Sequence, residues 1–174
     1  MMRPRILSLS NNYLAKSALT VLLGFLMATA ASAQEQEEHG MTQNHMEEYV
    51  RELASESDGQ AGNLIFIYNS IQMQLISDVS HNRMRIVAPI GAVDDVDQEQ
   101  LYAMMISNYH LALDARYAFG NGILYSVFIH PLYELSEDQI HSAVRQVAGL
   151  VATFGKDYTS GELSFGTQQR GQEI

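Results

Sequence analysis

Residues 118–139, AFGNGILYSVFIHPLYELSEDQ, constrain the fold of this 174-residue chain more than any other stretch. Gly-Asn-Gly at 120–122 supplies residues that accept the positive φ of a tight hairpin. Behind it, Ile123, Tyr125, Val127 and Ile129 share one strand face, and Leu124, Ser126, Phe128 and His130 share the other. Both faces are largely apolar, so this strand is expected to be central or covered on both sides. Pro131 ends it, because an interior ladder cannot spare an amide donor. His130 is then the extended residue before a proline, and it reads as scaffold. Ser136 follows as a helix cap, with Gln139 three residues on and Leu135 placed to pack on Ile140.

The same signals recur upstream. Asp97, Gln100, Val96 and Leu101 form a second capping box with a hydrophobic staple. That helix presents Leu101, Met104, Met105, Asn108 and Leu111 at helical spacing. The last helix presents Ile140, Val144, Val147, Ala148, Val151 and Phe154. A first helix, MEEYVRELASES from Met46, sets Met46, Val50 and Leu53 against an acidic face. SDGQAGN reads as the loop that ends it. Three strands follow: the apolar NLIFIY, then IQMQLIS and RMRIVAPI, each alternating with period two. Pro89 assigns the end of the third to a strand terminus or an edge. The expected fold is α+β, an antiparallel sheet packed with helices in the order α-βββ-α-ββ-α.

The N-terminus is set apart from that fold. MMRPRILSLSNNYLAK is basic, SALTVLLGFLMATA is a short apolar run, and Ala31-Ser32-Ala33 closes it. This is the pattern of a secretory signal peptide cut near Ala33, which places the mature protein in the periplasm or outside the cell. The apolar run is shorter than the ~20 residues of a spanning helix, so no membrane span is expected in the mature form. The expected organisation is a signal peptide over 1–33, a flexible leader over 34–45, one domain over 46–158 and a flexible tail over 159–174. All twenty acidic residues but only seven of the ten basic ones follow position 33, so the mature part would carry a net charge of −13. That charge repels phosphate backbones and makes nucleic acid a poor partner. The chain has no cysteine, so packing alone must hold the core.

His45, Glu48 and Glu52 share one helical face, but so permissive a spacing reads as a solvated acidic surface rather than a metal site. DDVDQEQ from Asp94 lacks the glycine and the twelfth-position glutamate of a calcium loop. No G-x-S-x-G elbow and no phosphate-loop lysine occurs. No enzyme activity, cofactor or metal is expected.

The segment LYAMMISNYHLALDARYAFGNGILYSVFIHPLYELSEDQIHSAVRQVAGLV resembles the second half of class I type III secretion chaperones, with the Tir-chaperone family as nearest named example. The matching features are Asn108 near a helix end, the Gly120–Gly122 turn, Pro131–Leu132 and the capped helix from Ser136. LIFIYNSIQMQLIS and RMRIVAPIG are similar to that family's opening strands, and the bacterial sensory-transduction-regulator domain shares the architecture. The resemblance implies a small acidic α/β sandwich that dimerises, binds other polypeptides and performs no reaction. The expected function is therefore an exported, chaperone-like interaction module binding extended segments of an unknown polypeptide at a sheet edge. The alternative is a small-ligand binder with an apolar pocket between sheet and helices. Phe66, Tyr68, Met104, Tyr109, Tyr125 and Phe128 are the candidates for the partner or dimer surface.

Overall fold

The computed structural model describes residues 40–161. The expected signal peptide, residues 34–39 of the leader and residues 162–174 of the tail lie outside them. The elements are α1 (Gln43–Leu53), β1 (Glu56–Gln60), β2 (Asn63–Tyr68), β3 (Ile71–Asp78), β4 (Arg83–Ala92), α2 (Gln98–His110), β5 (Arg116–Gly120), β6 (Ile123–His130) and α3 (Glu137–Thr153). All six strands form one sheet in the order β1-β2-β3-β4-β6-β5, and every pair is antiparallel.

The α+β class and the placing of helices between strand groups follow the sequence reading. Both capping boxes form: Asp97 and Ser136 each accept from the backbone of the third helical residue, whose glutamine side chain reaches back. Asn69 and Ser70 turn the β2–β3 hairpin at positive φ, and Asn121 with Gly122 turns β5 into β6.

Two expectations are corrected. SDGQAGN is not a loop: Glu56–Gln60 pairs with β2, and all five of its residues are exposed. A strand that buries neither face shows no hydrophobic period, so alternation could not reveal it. The first helix begins inside the expected flexible leader, where Thr42 caps it and Met41 is buried. β6 is interior in the sheet, as expected of a strand apolar on both faces.

The covered face holds the core. Leu64, Phe66, Met73, Leu75, Met84, Ile86, Leu124 and Phe128 are buried there. α3 lies over β4 and β6, and α1 packs on β2 and against α3. Met46 and Val50 of α1 meet Ile140, Val144, Val147 and Leu150 of α3 in the same cluster. Tyr117 of β5 donates its hydroxyl to the Leu150 carbonyl (2.8 Å). Burial pushes that phenol up to about 12.

The chain after α3 does not leave the domain at residue 158. Ser160 is buried and donates through its amide and its hydroxyl to the Leu111 carbonyl (3.2 and 3.1 Å). Thr159 donates its amide to Thr153 Oγ1 (2.9 Å). This strap lies directly on Gly149, where an added Cβ would stand 2.5 Å from the Ser160 carbonyl oxygen. Gly→Ala inside a helix ordinarily stabilises by roughly 0.5–1 kcal/mol. Gly149→Ala is expected to reverse that sign and cost about 1–3 kcal/mol, because the added methyl displaces backbone. Urea unfolding checks it, and a gain in stability would show that the strap does not close on the helix.

Candidate polypeptide-binding surface

The residues with nucleophilic or ligating chemistry are engaged locally. Ser80, His81 and Asp78 meet in one turn: Ser80 Oγ donates to Asp78 Oδ1 (2.6 Å) and lies 3.1 Å from His81 Nδ1. The same Nδ1 faces Asp78 Oδ2 at 2.6 Å. A nucleophilic triad needs histidine to meet the acid and the hydroxyl through different ring nitrogens. One nitrogen serves both here, and the group is the cap of a 3-10 turn. Hydrogen bonds from Ser80, then from His81, lower the Asp78 carboxyl to about 2.

His45 Nε2 meets Glu137 Oε1 at 2.7 Å, tying α1 to the start of α3 rather than joining Glu48 and Glu52 in a ligand set. Beside it the Tyr49 hydroxyl is held above its ordinary value by desolvation, then by Glu137, Asp138 and Glu52. Among the described residues no group of three or more His, Cys, Asp or Glu side chains is placed to hold a metal ion. His130 Nδ1 bonds the Pro131 carbonyl (2.8 Å), and its ring stacks on Phe128, a scaffold role.

The two sheet edges differ. On β5, Asn108 of α2 donates to the Tyr117 carbonyl (3.1 Å) and accepts from the Tyr117 amide (2.8 Å). One side-chain amide thus takes both bonds that a neighbouring strand would make. On β1, strict alternation across the sheet turns the amide and carbonyl groups of Ser57 and Gly59 away from β2. Among the described residues only Arg51 crosses that edge, donating to Ser57 Oγ (3.2 Å) and to the Gly59 carbonyl (3.5 Å). The β5 edge is plugged and the β1 edge is lightly covered.

Two apolar surfaces face outward. The first is α2, which presents Leu101, Met104 and Met105 at helical spacing. Only Met104 and Ser107 are buried, whereas Leu101, Tyr102, Met105, Ile106 and Tyr109 are exposed. The second is the outer sheet face, where register aligns Ile76 with Arg85 and Ile129, and Val87 with Val127 and Arg116. Ile129 is 56% exposed. The strands β4, β5 and β6 contain no acidic residue, although the chain is strongly acidic.

The sequence candidates divide accordingly. Phe66, Met104 and Phe128 are core side chains at 5% exposure or less. Tyr68 packs partly against the core, Tyr125 is half-buried on the outer sheet face, and Tyr109 stands out from α2 at 78% exposure. Sequence reading missed the open β1 edge and the guanidinium groups of Arg85 and Arg116. Two polar residues inside apolar stripes, Asn108 and Gln146, were the available signals for the edge plug and for a buried polar clamp.

The clefts are open ones. One of about 370 Å³ lies on the outer sheet face over Ile76, Val87, Tyr125, Val127 and Ile129. Another, about 300 Å³, runs along α3 beside Ser160. Among the described residues no helix is long and apolar enough to cross a membrane.

No family model matches this sequence, and no curated protein matches it. Two solved structures are similar to it in fold. One is a chain of the HopA1-SchA chaperone-effector complex, with 12% identity and a TM-score of 0.49, covering 63% of this chain and 88% of that one. The other is a chain of the ExsC-ExsE complex, with 10% identity and a TM-score of 0.42, covering 80% and 94%.

Proposed function

We propose that this protein is an exported, non-enzymatic interaction module that works as a chaperone-like binder of polypeptide segments and pairs with a second copy of itself. The observation that supports it is the division of the surface: apolar residues left uncovered on α2 and the outer sheet face, beside one sheet edge that is open. A helix that is apolar on its outward side is normally covered. Clefts this open enclose a small ligand poorly.

The two surfaces have separate occupants. The α2 stripe and the outer sheet face are assigned to a second copy. α2 begins with Asp97 and Glu99, whereas the outer face presents Arg85 and Arg116, so each patch complements the other across a two-fold axis. The polypeptide partner adds as an extended strand to β1, bonding Ser57 and Gly59 and displacing Arg51. Glu56 and Asp58 alternate with those residues and favour a basic partner segment.

Affinity capture from periplasmic extract, using mature protein that starts at Gln34, tests the binding reading. Ser57→Pro removes a donor that β1 does not give to β2, and it is expected to abolish capture while leaving the fold intact. Capture that survives in that variant would overturn the edge assignment. Sedimentation equilibrium at micromolar concentration is expected to show a dimer, and a monomer there would remove the pairing.

A further inference from the structure

The α2 stripe carries one side chain whose reactivity the interaction reading leaves unused. Of the methionines in the described residues, Met41, Met46, Met73, Met84 and Met104 are buried, and Met105 is 50% exposed. Met105 stands one turn from Leu101 and from Tyr109, in the middle of the exposed apolar stripe. The chain has no cysteine, so no thiol of its own competes for an oxidant. Thioether oxidation follows access to the sulfur. Among the described residues, an outside oxidant therefore meets one sulfur well ahead of the other five.

We propose that Met105 is a methionine-oxidation site whose sulfoxide weakens the pairing of two copies through α2, a consequence that rests on the pairing proposed above. The oxidant is a peroxide. A sulfur lone pair attacks one peroxide oxygen and the O–O bond breaks. Sulfur gives up two electrons and keeps that oxygen, and the other oxygen leaves as water with the protons. The sulfoxide turns an apolar side chain into a polar acceptor, and a sulfoxide reductase reverses the change. Burying that acceptor against an apolar face without a donor carries the cost of an unpaired polar group, and the dissociation constant is expected to rise about tenfold or more. Pairing in turn shields the sulfur, so oxidation slows as protein concentration rises.

The test treats the full chain with limiting hydrogen peroxide. Oxygen uptake is read at each methionine by peptide mass spectrometry, and association by sedimentation. Among the methionines of residues 40–161, Met105 is expected to gain oxygen first, with loss of association in step. Met105→Leu keeps the apolar volume and is expected to pair normally and to be indifferent to peroxide. Equal uptake at the six methionines of residues 40–161 overturns the site. Full conversion of Met105 with unchanged association overturns the consequence. A monomer before any peroxide is added overturns the pairing itself, and the site then stands or falls on the order of oxidation.

Discussion

Replacing Gln146 with leucine is expected to destabilise the protein by about 2–5 kcal/mol, because two amides lose one shared acceptor. Gln146 is buried in α3, and its Oε1 accepts from the amides of Asp114 (2.9 Å) and Ala115 (3.0 Å). Its Nε2 donates to Ser142 Oγ (3.1 Å). Leucine fills a similar volume but offers nothing to either amide, and an unsatisfied buried donor costs about 1–3 kcal/mol. Gln146→Glu keeps the acceptor and is expected to lose less. Urea unfolding of the two variants separates the lost acceptor from lost packing. A loss below about 1 kcal/mol in Gln146→Leu would show that water reaches both amides.

The same contact explains where β5 begins. Continuing the register from Arg116 and Val127 would set the Asp114 amide opposite Ile129. Gln146 holds that amide instead, so the ladder starts at Arg116, and the chain approaches it through Leu113, whose φ is 54°.

Phe66→Ala is the second large effect, expected at about 3–5 kcal/mol by loss of buried surface and creation of a cavity. Phe66 is 1% exposed in the core cluster. Its counterpart is Tyr109→Ala, expected to change stability by no more than about 0.5 kcal/mol while weakening self-association. Denaturant midpoints and sedimentation, measured on both variants, assign each aromatic to core or surface. A stable Phe66→Ala protein that no longer associates would reverse the assignment.

Fold class was legible because its signals are local. Capping boxes at Asp97 and Ser136 and the positive-φ turns at Asn69–Ser70 and Asn121–Gly122 are each decided within a few residues. β1 escaped because a polar edge strand is defined by its neighbour and not by its own period. The candidate surface was legible only in part. Aromatic residues in apolar runs mark surfaces that avoid water, and both a core and an interface meet that description. Phe66 and Tyr109 differ by where the chain places them, which no local pattern records.

By itself the sequence determined the helix starts, the hairpin turns, the strand that Pro131 ends and the absence of any cysteine crosslink, since each depends on backbone chemistry over a few residues. Tertiary structure alone decided which apolar faces are covered. α3 lies over the inner face of β4 and β6, no described residue lies over the outer face, and α2 turns Met104 inward and Met105 outward. Burial belongs to pairs of elements distant in sequence, so a strand apolar on both faces can be core on one side and an open surface on the other.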